Sequence, residues 1–371
     1  MAIYPHMTRL ASLGDELVHA SVAASTQTQY SIGWLAWCKF SQVAGWYPTA
    51  GTGPSTEEGM VQFTLAFCAF QFFDRNLGPS TICNYLAGVL FNLKCLHHPT
   101  AFLSHPLVFM ARNGMRRLHV SRAVSPRRAL PFTVDMILLY RTRLLNSSPR
   151  QADIGQYTAV VLAFSNLLRR SEYIPTKADH YIRACDVSFV LSGPTAKSIP
   201  SHAVAFIPCA DISGVSLWLR SSKTDSSGVG VRLVFPRSLS DPVTTCELLL
   251  QWARQARSKP LDPFFSCRLE NSSFSWVISG RDTTNILRSV ATARGFSKTQ
   301  ATSFTTHSLR YGGACTLAAA GISDKAIKVL GRWKSDVSLH YSAQAFRVFN
   351  EAHNVIGRSD VFSSKDLFPF V

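Results

Sequence analysis

The most informative stretch of the sequence is residues 306–317, which read THSLRYGGACTL. Its apolar residues recur at helical spacing, which predicts a helix over residues 307–320. His307 and Arg310 stand three positions apart, so they would share one face of that helix. An imidazole beside a guanidinium forms a grip for an oxyanion, and the arginine fork can bind two phosphate oxygens at once. An H-x-x-R pattern is short enough to arise by chance, so its meaning depends on the rest of the chain.

A second stretch, LLRRSEY at residues 167–173, places Arg169 and Arg170 in an otherwise apolar helical run. A buried guanidinium needs a partner, because taking it out of water is unfavourable. Glu172 lies three positions after Arg169 and can orient its guanidinium from the same helical face. The sequence therefore predicts an ion pair between Arg169 and Glu172.

Two further stretches supply a lysine and a tyrosine. Residues 220–228, RSSKTDSSG, lie between two β-like runs, which predicts a hairpin with Lys223 near its tip. Residues 330–341, LGRWKSDVSLHY, predict a helix that stops at Gly331, then a cap and a new helix that carries Tyr341. A hairpin lysine is commonly just exposed and a helical tyrosine is commonly a packing residue. Each gains a functional interpretation only together with the other residues.

The first 120 residues have the apolar pattern of an all-α domain. A capping box formed by Ser55 and Glu58 and a proline at position 79 are start signals for two of its helices. Aromatic residues recur at steps of three and four, which could form a base-stacking platform but is more typical of a hydrophobic core; they are Tyr30, Trp34, Trp37 and Phe40. Helices are predicted near residues 8–22, 26–45, 56–75, 80–97 and 105–118.

The second half of the chain mixes helical and β-like patterns. Helices are predicted near residues 133–146, 151–169, 243–257, 282–294, 307–320, 323–331 and 336–350. β-like runs occur at residues 187–191, 203–208, 215–220 and 231–235. The predicted fold class is α+β and mainly α, with an all-α first domain and a mixed second domain that has a small antiparallel sheet among helices.

The charge of the chain is large and unevenly placed. The 371 residues carry a formal charge of +16, which favours a polyanionic partner such as nucleic acid. Residues 1–110 hold four basic and five acidic side chains, whereas residues 111–128 hold six arginines and no acid. We expect these arginines to track DNA phosphates, although a solvated basic loop would have the same composition. They are Arg112, Arg116, Arg117, Arg122, Arg127 and Arg128.

Prolines and small residues interrupt helical periodicity around residue 125, which places a domain boundary there. The predicted organisation is a helical domain at 1–120, a basic linker at 121–131, a mixed second domain at 132–350 that carries the candidate residues described above, and a C-terminal tail at 351–371. The nine cysteines are scattered without a C-x-x-C pair, so neither a zinc site nor a disulfide framework is expected. The N-terminus lacks the layout of a secretory signal, and no apolar stretch is long enough to span a bilayer.

In the order Arg, Lys, His-x-x-Arg, Trp and Tyr, the second half of the chain resembles the tyrosine recombinase (phage integrase) family. LRRSE at 168–172 is similar to the family's first-arginine motif, HSLR at 307–310 to its second, and 331–341 to its nucleophile region. HSLRYGGA and LGRWKSD are most similar to recombinases of eukaryotic mobile elements of the DIRS and Crypton kind. The first half is similar to the family's core-binding domain in helical pattern and position only.

The resemblance implies a set of catalytic roles. Tyr341 would attack a backbone phosphate, forming a 3′-phosphotyrosyl link and freeing a 5′-hydroxyl. Arg169 and Arg310 would stabilise the non-bridging oxygens, while Lys223 would protonate the departing oxygen and His307 would assist as acid or base. No metal, ATP or other cofactor is expected. The partner would be double-stranded DNA, which the helical first domain and the catalytic domain would enclose in a C-shaped clamp. The assembly would be a tetramer on two sites, with no membrane association.

The sequence departs from the family pattern close to the nucleophile. The family usually has His or Trp nine residues before the tyrosine, where this chain has Arg332, and Trp333 lies eight residues before it. Trp333 is the candidate for a catalytic role on its chemistry, and Arg332 is the candidate on spacing, with Glu172 as a second supporting residue. Gly312 and Gly313 also replace bulkier residues, which predicts a looser helix after the second arginine.

Two other functions fit the same residues. A type IB topoisomerase uses a very similar set of Arg, Lys, His and Tyr roles but relaxes DNA without exchanging partners. A non-catalytic DNA-binding protein derived from a recombinase would keep the clamp without the chemistry. The mobile-element resemblance favours a nuclear location in a eukaryote, and otherwise the cytoplasm or nucleoid. The tail at 351–371 could be exchanged between protomers or pack onto its own domain.

Overall fold

The fold is described from a computed structural model of the chain. It describes residues 5–45, 54, 56–121, 129–176, 180–193, 197–204, 207–221, 228–237, 245–268 and 275–333. The chain divides into two compact units, Met1–Pro126 and Arg127–Val371. The expected fold class is confirmed, because the described chain is mostly helical and contains a four-stranded antiparallel sheet.

The first unit is all-α in its described part. Its helices are α1 (Pro5–Ala20), α2 (Ala24–Val43), α3 (Glu57–Ala69), α4 (Pro79–Cys95) and α5 (Pro106–Ser121). The predicted helix near 56–75 changes at Phe70 into a π-helical turn that ends at Asp74, and a short 3-10 turn spans Ala101–Ser104. Pro79 is the first residue of α4, as predicted.

The start of α3 differs from the predicted capping box. Its N-cap is Thr56, whose side-chain oxygen accepts a hydrogen bond from the Gly59 N–H at 3.1 Å. A threonine oxygen satisfies one of the N–H groups that the first helical turn leaves free, so it serves as well as a serine. Ser55, the predicted cap, lies outside the described residues.

The aromatic stripe of α2 belongs to the core of the first unit, as predicted. Trp37 is 1% exposed, and its ring packs edge-on against Phe63 and Phe67 of α3. Trp34 and Phe40 are partly buried against the same cluster. Burial of the Trp37 ring from water stabilises the unit, and it removes that ring from any base-stacking surface.

The second unit is built around one central helix. Its helices are α6 (Val134–Leu145), α7 (Gln151–Ser165), α8 (Arg170–Tyr173), α9 (Thr245–Ala256), α10 (Gly280–Ala293), α11 (Lys298–Ala301), α12 (His307–Ala319) and α13 (Asp324–Gly331). Every residue of α7 from Gly155 to Phe164 is buried. A helix that is apolar on all sides has no face for water, so α6, α9 and α12 pack around it.

The sheet lies beside these helices. Its strands are β1 (Val187–Leu191), β2 (Ser198–Pro200), β3 (Ile212–Leu219) and β4 (Val231–Pro236), in the order β2-β1-β3-β4 with antiparallel neighbours. β3 is central, and Val215 pairs with Phe189 on one side and Phe235 on the other. A second antiparallel pair, β5 (Ser266–Arg268) and β6 (Ser275–Val277), was not predicted.

One predicted strand is wrong. The run at 203–208 contributes no strand among its described residues, because Ser201–Ala203 forms a 3-10 turn and Pro208 precedes another. The edge strand that pairs with β1 is instead the three-residue β2, which lies just before the 203–208 run in the sequence. Proline lacks an N–H for the ladder, which explains why an edge strand ends at Pro200.

Two further properties of the fold are the state of its cysteines and the apolar character of its helices. All nine cysteines lie in the described part of the chain and form no disulfide there, and four of them are buried and five half-buried. Among the described helices, none combines the length and the apolar character that crossing a membrane requires.

Candidate active site

The first-arginine segment, residues 167–172, follows the central helix α7. The chain leaves α7 through Leu167, which is fully buried and has left-handed backbone geometry with a φ of 49°. Arg169 then stands at the N-cap of α8, so it is not part of the long helix that the sequence predicted. Glu172 accepts hydrogen bonds from the Arg169 backbone N–H at 2.8 Å and from its guanidinium at 3.0 Å. The expected contact between Arg169 and Glu172 is therefore present, from a cap rather than a helical face.

The second arginine lies in the first turns of α12. Gly312 and Gly313 lie against the backbone of Phe132 and Phe164, with no room for a side chain, so α12 packs closely beside α7. This packing buries Arg310, which is 3% exposed. Its guanidinium donates hydrogen bonds to the backbone carbonyls of Leu167 and Gly331.

The segment after α13 supplies the next two candidate residues. The sequence predicted that Gly331 stops this helix, but Gly331 is its last residue and the stop is Arg332, in left-handed geometry with a φ of 56°. The chain then turns back so that the Trp333 ring lies 4.4 Å from the Arg310 guanidinium carbon. A side chain on Gly331 would overlap that ring, so glycine is needed here for close approach.

The Arg332 side chain points toward the first-arginine segment. Its guanidinium donates to a Glu172 carboxylate oxygen at 2.9 Å and to the Leu167 carbonyl at 3.1 Å. The Arg332 backbone carbonyl in turn accepts from the Arg169 guanidinium at 2.8 Å. Burial lowers the pKa of Arg332 from its ordinary value, and the nearby Glu172 carboxylate opposes that shift.

These residues form one arginine cluster, comprising Arg169, Glu172, Arg310, Arg332 and Trp333. Each of its guanidiniums is held by at least one group from residues 167–172, and those of Arg169 and Arg310 also by a backbone carbonyl of residues 331–332. Its four charged side chains sum to a formal charge of +2. Cations fixed in this way need no reorganisation when negative charge develops beside them, which is what stabilisation of a phosphoryl transition state requires.

His307 begins α12, one turn before Arg310. Its backbone N–H donates to the Thr305 hydroxyl at 3.3 Å. His307 is exposed, yet the protein atoms around its imidazole partly desolvate the ring, and this lowers its pKa below the ordinary value. The positive charge of Arg310 lowers it further. A histidine with a lowered pKa is mainly neutral at pH 7, so one ring nitrogen can accept a proton.

Two predicted catalytic residues lie outside the described residues, namely Lys223 and Tyr341. The strands that flank Lys223 are described, and β3 and β4 pair as the predicted hairpin requires. The base of this hairpin is anchored, because Arg220 binds Asp186 at 2.7 Å and Ser221 contacts His180 at 2.5 Å. The helix predicted near 336–350 and the tail at 351–371 also lie outside the described part.

Of the six predicted DNA-binding arginines, three lie in the described part of the chain and three lie outside it. Arg112, Arg116 and Arg117 lie on α5. Arg112 is half-buried and contacts the Cys83 sulfur at 3.3 Å, whereas Arg116 and Arg117 are exposed. The remaining three, Arg122, Arg127 and Arg128, lie outside the described residues.

Sequence reasoning missed the backbone groups that align the arginines. Hydrogen bonds to the carbonyls of Leu167, Gly331 and Arg332 hold Arg169 and Arg310 as much as any side chain does. Every residue carries a carbonyl, so residue types give no signal for them. For metals, the described part of the chain has no group of three or more His, Cys, Asp or Glu side chains that could bind an ion.

No protein-family model matches the chain, and no curated protein matches it in sequence. Among solved structures, the chain is similar to the XerH site-specific recombinase bound to palindromic difH substrate in a post-cleavage complex. That match has a TM-score of 0.53 and 12% identity, and covers 89% of this chain and 80% of XerH. A lambda integrase dimer bound to a COC′ core site matches with a TM-score of 0.48 and 16% identity, covering 92% of this chain and 81% of that one. The likeness to XerH shows that this chain shares the XerH fold.

Proposed function

We propose that the chain is a site-specific DNA recombinase that cuts and rejoins strands through a 3′-phosphotyrosyl intermediate. The observation that carries the proposal is the arginine cluster, in which Arg169 and Arg310 share anchoring segments although they are far apart in sequence. The fold shared with XerH, solved as a post-cleavage DNA complex, supports the same chemistry. The charge of +16 suits a DNA partner.

The proposed reaction begins with the Tyr341 hydroxyl attacking a backbone phosphorus. A tyrosine titrates near pH 10, so attack at neutral pH needs a base or strong stabilisation of the developing charge. Arg169 and Arg310 supply that stabilisation at the non-bridging oxygens, and Trp333 joins them as the third group at the phosphate. His307, with its lowered pKa, can accept the phenol proton.

The bond to the 5′ oxygen breaks as the bond to Tyr341 forms. An alkoxide is a poor leaving group, and Lys223 on the β3–β4 hairpin donates the proton that converts it to a 5′-hydroxyl. Because the phosphotyrosyl bond replaces the phosphodiester, a 5′-hydroxyl from a second strand can displace Tyr341 without ATP. Strand exchange, rather than hydrolysis, is the expected product.

The proposal extends to the assembly and its biological use. The helical first unit would act as the core-binding half of a clamp around double-stranded DNA, with the basic segment at 111–128 on the phosphates. A tetramer on two sites, with residues 351–371 exchanged between protomers, would carry out the exchange. Integration or excision of a mobile element, in the nucleus of a eukaryote, is the use that the HSLRYGGA and LGRWKSD motifs favour.

The test is covalent capture on nicked duplexes that trap the cleaved state. A pool randomised around the nick requires no known target, and adducts that survive denaturation can be sequenced. We expect the wild type to form adducts and Tyr341→Phe to form none while still binding DNA. Tyr311→Phe is the matched control, because Tyr311 is 5% exposed and packs with Cys315, so its loss leaves adduct formation intact.

Other outcomes assign other functions. Adducts formed by Tyr341→Phe would contradict the assignment of the nucleophile. No adduct from the wild type, together with DNA binding, would favour the non-catalytic DNA-binding protein. Relaxation of supercoiled plasmid without pairing of two sites would favour the type IB topoisomerase.

A further inference from the structure

We propose that the Arg332 guanidinium is a positioning group, which aligns Arg169 and Arg310 rather than binding the phosphate itself. The proposal rests on the proposed function, since it assigns a role within the same site. It also separates Arg332 from Trp333, the two residues that compete for the position usually filled by His or Trp.

The first argument is that Arg332 shares its hydrogen-bond acceptors with both arginines. Glu172 accepts from Arg332 at 2.9 Å and from Arg169 at 3.0 Å, through different carboxylate oxygens. The Leu167 carbonyl accepts from Arg332 at 3.1 Å and also from Arg310. Arg332 therefore fixes the acceptor on which each of the other two guanidiniums depends.

The second argument is that protein acceptors use the Nη donors of Arg332. The Arg332 side chain is 10% exposed, and its Nε atom is buried with no hydrogen-bond partner among the described residues. Its Nη atoms are used on the Glu172 carboxylate and on backbone carbonyls, including that of Leu330 at 2.9 Å. Because Nη1 also donates to the Asn166 carbonyl at 3.4 Å, both hydrogens of each Nη atom are used, so Arg332 can act on the phosphate only through its neighbours.

The third argument is the backbone at this position. A helix that ends in left-handed geometry most often has glycine there, because a side chain is unfavourable in that conformation. Arg332 adopts a φ of 56° and a ψ of 41° nevertheless. The turn alone would be better served by glycine, so the arginine is explained by the contacts of its side chain.

Loss of the Arg332 guanidinium has a predictable consequence for its neighbours. The Glu172 oxygen that it binds would be released, and the carboxylate could rotate toward Arg169. The Leu167 carbonyl would keep Arg310 as its donor but would no longer have the hydrogen bond that fixes its direction. Both guanidiniums would then lose alignment with the oxygens that they stabilise.

The experiment compares cleavage of two substrates by Arg332→Gly. Glycine keeps the left-handed turn and removes only the side chain. One substrate has a normal phosphate at the cleavage position, and the other has a methylphosphonate, in which a methyl group replaces one charged oxygen. An arginine that stabilises charge on that oxygen contributes to the first reaction and little to the second.

We expect Arg332→Gly to lower the cleavage rate on the phosphate about 100-fold, the size of effect that misplacement by 1 Å can produce. The rate on the methylphosphonate should fall much less, so we expect the ratio of the two rates to fall, as we also expect for Arg310→Ala. Arg332→Gly should lower the ratio much less in an Arg310→Ala background than in the wild type, because Arg332 acts through its neighbours, and an undiminished fall there would mean that Arg332 binds the phosphate itself. A role limited to stability would lower both rates equally, because it changes the amount of active protein and not the charge preference. Equal loss on both substrates, or no loss, would overturn the proposal.

Two further variants keep the test decisive. Arg294→Met is the matched control, because Arg294 forms a half-exposed pair with Asp135 and its loss should leave the ratio unchanged. Arg332→Lys keeps the charge beside Glu172, so it should fold even if Arg332→Gly does not. The lysine ammonium lacks the planar fork with which the Arg332 guanidinium spans Glu172 and Leu167. The ratio of the two rates should therefore still fall about tenfold. An unchanged ratio would contradict the proposal.

The wild type distinguishes this inference from the proposed function. If the wild type forms no adduct on either substrate, the proposed function fails. If the wild type forms adducts and the ratio is the same in Arg332→Gly, Arg332→Lys and the wild type, only the role of Arg332 fails.

Discussion

Glu172 and Asp153 occupy the same local position but differ in burial. Each carboxylate accepts the backbone N–H of an arginine three residues earlier and pairs with its guanidinium, Glu172 with Arg169 and Asp153 with Arg150. The Glu172 side chain is fully buried and binds Arg332 as well, whereas the Asp153 side chain is 34% exposed and Arg150 is 79% exposed. This pair of carboxylates therefore compares a buried cluster with a surface ion pair at the same local position.

We predict that Glu172→Ala lowers the free energy of unfolding by about 3–5 kcal/mol, because it leaves the buried Arg332 charge without its carboxylate. Asp153→Ala removes a comparable cap and an exposed ion pair, together worth about 1–2 kcal/mol. Urea unfolding of the full chain measures both variants against the wild type. Equal losses would mean that the buried cluster contributes no more than a surface pair.

The same residues show what sequence reasoning can reach at this scale. Arg169 and Glu172 are three positions apart, so their contact follows from local geometry whether a helix or a cap holds them. The contact from Arg332 to Glu172 spans 160 positions and depends on left-handed backbone at both Leu167 and Arg332. Neither residue type favours that conformation, so nothing in the sequence announces it.

Helix α12 depends on two glycines that the sequence suggested would loosen it. The helix runs unbroken from His307 to Ala319, and both glycines are buried. A methyl group on Gly312 would overlap the Phe132 carbonyl, and the Phe132 N–H donates to the Ser308 carbonyl at 2.9 Å. The glycines therefore bring Arg310 close to the first-arginine segment, and bulkier residues would hold the two apart.

We predict that Gly312→Ala destabilises the fold by about 3 kcal/mol or more, at the upper end of overpacking effects, because backbone rather than a flexible side chain must move. Gly114→Ala is the matched control, since Gly114 also lies within a helix but has open space around it. There alanine should stabilise by about 0.5–1 kcal/mol, because glycine is a poor helix former. Thermal unfolding of both variants provides the comparison, and a mild effect at Gly312 would mean that α12 can shift.

The positions of long helices could be predicted from the sequence, whereas those of very short strands could not. Long helices such as α2, α4 and α10 repeat the helical period several times, and their positions matched the structure within a few residues. The three-residue strands β2, β5 and β6 are too short to show alternation, and pairing with neighbours defines them. The run at 203–208 had strand-like composition, but it lies between 3-10 turns at Ser201–Ala203 and Cys209–Asp211, and its described residues form no strand.

At the scale of the whole molecule, the position of the charge is readable from sequence, because formal charges add regardless of fold. Residues 111–128 carry six arginines between a first stretch of net charge −1 and a basic second half. If these arginines bind DNA phosphates, each contact releases condensed counterions, and affinity then depends steeply on salt. A loop that is merely solvated would leave that dependence unchanged when it is neutralised.

We predict that replacing Arg116, Arg117, Arg122, Arg127 and Arg128 by Gln weakens DNA binding to all sequences. The slope of log affinity against log salt should become shallower by about 0.9 for each phosphate that the variant no longer neutralises. Arg116→Gln/Arg117→Gln and Arg9→Gln/Arg75→Gln form a matched pair, because each removes two exposed arginines from the first unit. Only the former should change the slope in fluorescence-anisotropy titrations at several salt concentrations. An equal change in both would mean that net charge alone, and not the basic segment, governs binding.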